Sequence, residues 1–167
     1  MPYSIYLKNE QEKRPIYSDK DVTTWYNNVT SESEGQDMNL GKETETLEFK
    51  KTTGEMKEAM ISISSILNKH GIGTLYFGVK PNGDVCGQDV SESSLRDVSR
   101  AVYESIRPQI YPAIEEVVLD GKHLIKVEFN GNNTPYSAAG RYYLRTADED
   151  REVTPEELKS FFVSNEY

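Results

Sequence analysis

The chain has 167 residues, with 19 Lys plus Arg against 28 Asp plus Glu, so its formal net charge is −9. Hydrophobic residues make up 36% of it, which excludes wholesale disorder and allows a buried core. The single Cys excludes an intrachain disulfide. No stretch approaches the roughly 20 apolar residues of a membrane span and the N-terminus has no signal-peptide pattern, so we expect a cytoplasmic protein.

The acidic excess lies mainly at the two ends of the chain, and the middle is nearly neutral. A near-neutral domain can still carry a basic face if its acidic groups lie elsewhere. The polar run from Thr30 to Asp37 is typical of a linker. We therefore interpret residues 1–37 as an N-terminal extension and linker, and residues 38–167 as one domain.

The first half of this domain shows strand and helix patterns in turn. Thr52 and Glu55 have the spacing of a capping box, and a helix is predicted over 55–69, ended by Gly71. Its apolar residues recur at helical spacing and should form one buried face: Met56, Ala59, Met60, Ile63 and Leu67. Strands are predicted at Thr46–Lys50, at Thr74–Val79 and, after a turn at Pro81–Asp84, at Val85–Val90.

The second half continues with a helix, a hairpin, a strand and a final helix. The predicted elements are a helix from Ser91 or Ser93 to the residue before Pro108, strands Val117–Leu119 and Leu124–Phe129 around an Asp120-Gly121 turn, a strand at Arg141–Thr146, and a helix after a capping box at Thr154–Glu157. This order indicates an α+β or mixed α/β domain. About three helices should cover a single, mostly antiparallel or mixed sheet.

The strand Arg141–Thr146 carries a basic and aromatic pattern. Alternation places Arg141, Tyr143 and Arg145 on one face, and we expect Tyr142 and Leu144 on the other face, in the core. Two guanidinium groups beside an aromatic ring can contact phosphates and stack on a base. The alternative is a solvated strand whose arginines pair with the nearby acidic residues Asp148, Glu149 and Asp150.

Residues 43–51 carry charges of both signs. Lys50 and Lys51 add to the predicted cationic surface. Glu43 and Glu48 can bind a divalent metal and support phosphodiester cleavage if an irregular start to the strand brings them together. The alternative for these carboxylates is a solvated acidic strand edge.

Several of these motifs occur together in the order of a known family. Glu43-x-x-x-x-Glu48-Phe49-Lys50 precedes the first helix, which ends in Asn68, and the motif Gly71-x-Gly73 leads into a strand ending in Gly78-Val79. Asn82-Gly83-x-Val85-x-Gly87 and Gly140-Arg141-Tyr142-Tyr143-Leu144-Arg145 follow. Over about residues 40–162, the chain resembles the Schlafen-like, Alba-related domain family.

The resemblance implies a DNA-binding or nucleic-acid-binding domain of a transcriptional-regulator type. On this interpretation Lys50, Lys51, Arg141, Tyr143 and Arg145 bind DNA or RNA, no cofactor is expected, and no membrane is involved. The motif residues Asn68, Gly71, Gly73, Gly78, Gly83 and Gly87 have structural roles. Members of the family usually carry this domain ahead of further C-terminal domains, so such domains or a homo-oligomer are left open.

Two other functions remain open at this stage. Animal Schlafen proteins include RNA-cleaving members with two glutamates and an aspartate, and Glu43 and Glu48 fall at the glutamate positions. Asp84 would have to supply the aspartate, although it comes several residues late, after Lys80 and Pro81. Such a nuclease would use Mg²⁺ or Mn²⁺ held by Glu43 and Glu48. The last alternative is a nucleotide-binding or protein-assembly domain whose acidic flanks recruit partners.

Overall fold

A computed structural model describes residues 37–163, which form three α-helices and eight strands. The helices are α1 (Met56–His70), α2 (Glu92–Ser105) and α3 (Pro155–Val163). The strands are β1 (Leu47–Lys50), β2 (Ile72–Phe77), β3 (Ile106–Arg107), β4 (Ala113–Leu119), β5 (Lys122–Asn130), β6 (Ser137–Ala138), β7 (Arg141–Thr146) and β8 (Glu149–Glu152). The predicted extension and linker, apart from Asp37, lie outside the described residues.

The strands form two sheets. The first has the order β1-β2-β5-β4, with β1 parallel to β2 and the other pairs antiparallel, and the second has the order β3-β6-β7-β8. The predicted α+β class is confirmed, but the predicted single sheet is wrong. The cause lies in β3 and β6, which are two residues long and leave no periodic signal in the sequence. β3 pairs with β6 and β6 pairs with β7, so these strands lie with β7 and β8 in a sheet separate from the first.

Helix α1 packs against both sheets. The predicted apolar face is confirmed, since Ala59, Met60, Ile63 and Leu67 are buried and Met56 packs partly buried against the same core. The buried surface is wider than predicted, because Ser62 and Ser65 on another side of the helix are also fully buried. A helix in contact with β2 on one side and β7 on the other needs more than one buried face.

The predicted capping box is present, but it caps a 3₁₀ turn, Thr53–Glu55, that leads into α1. The predicted end of α1 at Gly71 is confirmed. Thr52 Oγ1 accepts a hydrogen bond from the Gly54 amide at 3.1 Å, and the Glu55 carboxylate accepts one from the Thr52 amide at 3.3 Å. At the other end Gly71 adopts a left-handed φ of 72°, and its N–H donates to the Leu67 carbonyl.

The predicted return strand Val85–Val90 forms only a single bridge, between Val79 and Val85. The chain turns away there because the Cys86 and Gly87 amides both donate to the Gly78 carbonyl. The turn before it is tightly covered: a Cβ on Gly83 would lie 1.9 Å from the Gly41 carbonyl oxygen. None of the helices within residues 37–163 has the length and apolar character needed to cross a membrane.

Candidate functional site

The predicted basic and aromatic face of β7 exists, but it packs against α1 and only Arg141, at its start, is exposed to solvent. Tyr143 packs against the main core, and its carbonyl accepts a hydrogen bond from the Asn68 side-chain amide at 2.8 Å. Tyr142 and Leu144, predicted as core, are only partly buried, like Tyr143 itself. The alternation of side chains was therefore right, and the choice of which face is buried was wrong, because α1 covers the face that carries Arg145.

Arg145 is a buried residue, with 0% of its surface exposed. Its Nη2 donates to Glu48 Oε2 at 2.6 Å and to the Thr44 carbonyl at 2.9 Å, and its Nη1 donates to Asp150 Oδ1 at 2.9 Å. The prediction that Arg145 contacts phosphate is therefore wrong. The alternative, pairing with the acidic residues that follow β7, holds for Asp150.

The partners of Arg145 extend into a buried charge network. Glu48 also accepts from Lys50 Nζ, so both of its carboxylate oxygens are bonded to cations. Asp150 accepts from Ser62 Oγ at 2.6 Å and from Ser65 Oγ. Two cations and two carboxylates balance each other, which is the condition for burying charge at tolerable cost.

This network joins β1 of the first sheet to β7, β8 and α1. Burial acts to lower the pKa of Arg145, but Glu48 and Asp150 outweigh it and the pKa is raised. The guanidinium therefore stays charged and holds the two sheets and the helix together. Its role in this structure is architectural.

The carboxylates predicted for metal binding and catalysis all have hydrogen-bond partners within the chain. Glu43 Oε1 accepts from the Phe49 amide at 2.9 Å, and its pKa is raised, chiefly by burial and also by Glu48. Asp84 accepts from the amides of Asn39 and Asn82, which hold its pKa below its usual value. Within residues 37–163, no three His, Cys, Asp or Glu side chains are grouped to hold a metal ion. Glu43 and Glu48 are near neighbours, but both carboxylate oxygens of Glu48 already accept from Lys50 and Arg145, and Asp84 joins no such group.

The remaining predicted cations differ in accessibility. The Lys50 side chain is 13% exposed and bonded to Glu48, so it belongs to the buried network. Lys51 is exposed. The Arg141 side chain is 67% exposed and lies 3.3 Å from Glu152, itself 56% exposed. Such an open ion pair is weak and can exchange its carboxylate for another anion.

Arg141 and Tyr143 line a cleft of about 650 Å³ between the start of α1, the end of α2 and the β6–β7 turn. Its apolar lining consists of Met56, Met60, Ile61, Ala138, Ala139 and Tyr143, and its polar lining of Lys57, Ser105 and Arg141. Of the described residues that line it, none is acidic. We call this feature the Tyr143 cleft.

Lys57 is the cleft residue that sequence reasoning missed. It is exposed and follows Met56, the first residue of α1. The sequence pattern around Lys57 is the same as that around an ordinary solvent-exposed lysine on a helix. Lys57 and Arg141 line the same cleft only because α1 packs against β7. This proximity depends on the tertiary structure and cannot be predicted from local sequence.

Asn68 fixes the position of the cleft wall. Its side-chain amide donates to the Tyr136 and Tyr143 carbonyls, both at 2.8 Å, and its oxygen accepts from the Tyr136 amide at 2.6 Å. A single buried side chain thus satisfies three backbone groups on two segments. This anchors α1 to β7 in the register that exposes Tyr143 to the cleft.

Comparisons with known proteins give one family and two solved structures. The family described as Schlafen, AlbA_2 matches residues 43–154. The crystal structure of the DIP2311 protein from Corynebacterium diphtheriae matches with a TM-score of 0.57 and 13% identity, over 86% of this chain and 29% of that one. This chain therefore spans less than a third of that protein's length, and at such low identity the likeness shows the fold alone.

A second solved structure is the N-terminal domain of a RecG-related protein from Nitrosomonas europaea. It matches with a TM-score of 0.44 and 17% identity, over 76% of this chain and 92% of that one. A search of the curated proteins gives no match.

Proposed function

The chain belongs to the Schlafen, AlbA_2 family, and on that basis we propose that it carries a nucleic-acid-binding domain that takes a single strand into the Tyr143 cleft. Arg141 and Lys57 contact phosphates, and Tyr143 stacks on a base. This revises the surface expected from sequence. Arg145 and Lys50 are no longer assigned to the binding surface, because they belong to the buried network. Lys57 is assigned to it instead, because it lines the cleft.

The observation that carries the proposal is the composition of the cleft. An apolar wall that includes a tyrosine ring lies beside two cationic side chains, and no lining residue described is acidic. A volume of about 650 Å³ is within the usual range for small-ligand sites. Base stacking on an aromatic ring contributes about 1–3 kcal/mol and requires an unstacked base, which a single strand offers and a duplex does not.

The phosphate contacts follow from the same geometry. A guanidinium can bind a phosphate through two parallel hydrogen bonds, so a phosphate can replace Glu152 as the partner of Arg141. Lys57 supplies a second, point-like charge. Contacts of this kind position the strand and do not read its sequence.

The test is fluorescence anisotropy with a labelled single-stranded oligonucleotide at several salt concentrations. Arg141→Gln should reduce the slope of log affinity against log salt by about one unit. Arg151→Gln is the matched control, because Arg151 also forms an exposed ion pair, with Glu157, but does not line the cleft. Equal effects of the two changes would count against the cleft as the binding site.

The same samples separate the other functions. A mononucleotide that competes as well as the whole strand would support a nucleotide-binding domain. Cleavage of the oligonucleotide in Mg²⁺ or Mn²⁺ would support a nuclease if Glu43→Gln abolished it. Glu48→Gln is less suitable, because it also breaks the buried pair with Arg145. The transcriptional role that the resemblance implies stays a prediction.

A further inference from the structure

The face of β7 opposite the Tyr143 cleft carries a second, smaller pocket. Arg107, Ser137 and Tyr142 lie directly opposite one another across β3, β6 and β7, so their side chains share one face of the second sheet. All three residues line the pocket, whose volume of about 390 Å³ lies near the lower end of the range for small-molecule sites. We call it the Tyr142 pocket.

The apolar part of the Tyr142 pocket is made of rings: Pro108, Pro135, Tyr142 and Phe162. Phe162 comes from α3 and is 55% exposed, so its ring is open to a further contact. The loop before Pro135 is tied to the core, because the Asn133 amide donates to the hydroxyl of the buried Tyr136 at 2.9 Å. These surfaces suit a planar group that packs against aromatic rings.

Arg107 supplies the polar end of the pocket, and its side chain is held in place by carbonyl groups. Its Nη1 donates to the Tyr103 carbonyl at 2.6 Å and to the Ile106 carbonyl at 2.8 Å. Its Nε and Nη2 have no hydrogen-bond partner within residues 37–163. One edge of the guanidinium, with two parallel N–H groups, therefore remains open.

The other arginines of the described part of the chain are all paired with acidic residues. Each forms an ion pair of 3.5 Å or less: Arg96 with Glu92, Arg100 with Asp97, Arg141 with Glu152, Arg145 with Glu48 and Asp150, and Arg151 with Glu157. Glu104 is exposed and lies three residues before Arg107, but it forms no ion pair with it. None of the described residues that line the Tyr142 pocket is acidic. Arg107 is thus a fixed cation with an open edge, which favours an anionic ligand.

We propose that the Tyr142 pocket binds a small monocarboxylate that carries a planar ring. The carboxylate accepts two parallel hydrogen bonds from Nε and Nη2 of Arg107, the geometry that arginine and carboxylate pairs often adopt. The ring packs against Tyr142 and Phe162. Among the described lining residues Arg107 is the only cation, so it balances one negative charge and not the nearly two of a phosphate monoester.

This site is separate from the proposed nucleic-acid site. The Tyr142 pocket and the Tyr143 cleft share no lining residue. Tyr142 and Tyr143 are adjacent in a strand, so their side chains point to opposite faces of the sheet. The proposal therefore does not rest on the proposed function, and either can fail without the other.

The experiment is a titration of the ¹⁵N-labelled protein with 2-naphthoate, followed by amide chemical shifts. Two matched probes separate the contributions: 2-naphthamide has the same ring system without the charge, and acetate has the charge without the ring. 2-Naphthoate should shift the amides of Arg107, Asn133 and Tyr142. It should bind about tenfold more tightly than either matched probe, because only it makes both the charged hydrogen bonds and the ring contacts.

Arg107→Gln should abolish the preference for 2-naphthoate over 2-naphthamide. Arg151→Gln is the matched control and should keep the preference, because Arg151 is also exposed but does not line the pocket. If Arg107→Gln does not fold, the comparison of the three probes on the unaltered protein still tests the proposal.

Four results would overturn the proposal. They are equal affinities for 2-naphthoate and 2-naphthamide, equal losses of the preference in Arg107→Gln and Arg151→Gln, shifts centred on Lys57 and Arg141 in the Tyr143 cleft, and no binding of 2-naphthoate at all. Adenosine monophosphate is a further probe. If it bound at the same amides more tightly than 2-naphthoate, the assignment to a monocarboxylate would be wrong.

Discussion

The two ends of β7 each carry an arginine on the same face of the strand, but one arginine is buried and the other is exposed. Arg145 is 0% exposed and bonded to Glu48 and Asp150, whereas the Arg141 side chain is 67% exposed beside Glu152. The difference comes from what covers each end. Residues of β1 and β8 close over Arg145, while at Arg141 the start of α1 leaves the Tyr143 cleft open. The alternation of a strand determines on which face a side chain lies, and the elements that pack on that face determine how deeply it is buried.

The largest expected effect is on stability, at the buried end. Arg145→Ala leaves the charges of Glu48 and Asp150 buried without their shared partner, so the free energy of unfolding should fall by about 3–5 kcal/mol. Arg141→Ala should change it far less, because both members of its ion pair are exposed. Urea unfolding followed by circular dichroism measures both. Similar losses in the two variants would erase the distinction between the two ends.

A charge-matched variant sharpens this result. If the loss arises from uncompensated buried charge, Arg145→Met combined with Asp150→Asn, which leaves Glu48 paired with Lys50, should be more stable than Arg145→Met alone. A double variant that is less stable than the single one would show that packing of the guanidinium, and not charge balance, holds this region.

The next effect lies in the middle of β7. Asn68→Ala removes the partner of three backbone groups on Tyr136 and Tyr143. Leaving even one such buried group unsatisfied costs about 1–3 kcal/mol, so the variant should be destabilised by at least that amount in the same unfolding assay. Asn132→Ala, on an exposed loop position, is the control and should be close to wild type. A stable Asn68→Ala protein would mean that β7 does not depend on α1 for its register.

The third effect is on binding, at the open end. Tyr143→Leu keeps an apolar side chain in the cleft but removes the ring, and single-strand binding should weaken by about 1–3 kcal/mol through lost stacking. Tyr142→Leu is the matched control, because the adjacent tyrosine lies on the opposite face and lines a different pocket. Anisotropy titrations of both variants measure the difference. A loss of affinity only in Tyr142→Leu would move the site to the other face of the sheet.

The smallest effect concerns an exposed ion pair next to the buried network. Hydrogen bonding from Arg151 lowers the pKa of Glu157 from 4.5 to about 2. Glu157 therefore stabilises the fold above pH 4.5, and this contribution is lost as the pH falls toward 2, because the unfolded chain takes up the proton first. Glu157→Gln should flatten this part of the pH dependence of unfolding. An unchanged pH profile would show that the pair does not persist in solution.

Much of this fold could be predicted from local patterns in the sequence. The helices, their capping residues, the hairpin and the strand Arg141–Thr146 all have local signals, and each is present. The burial of Arg145 has none, because its partner Glu48 is 97 residues away and the pairing depends on which sheet β7 joins. In that sheet β7 pairs with β6 and β8, and the two-residue strands β3 and β6 have no periodic signal in the sequence. Lys57 was missed for the same reason, since it shares the cleft with Arg141 only through the packing of α1 against β7.

The most direct test of the central claim is a titration of the ¹⁵N-labelled protein with an unlabelled trinucleotide at low salt, followed by amide chemical shifts. The cleft account predicts that shifts concentrate at Lys57, Ser105, Ala139 and Arg141, and that Glu48 and Arg145, in the buried network, change little. Shifts centred on Glu48 and Arg145, with Arg141 and Ala139 unmoved, would contradict it.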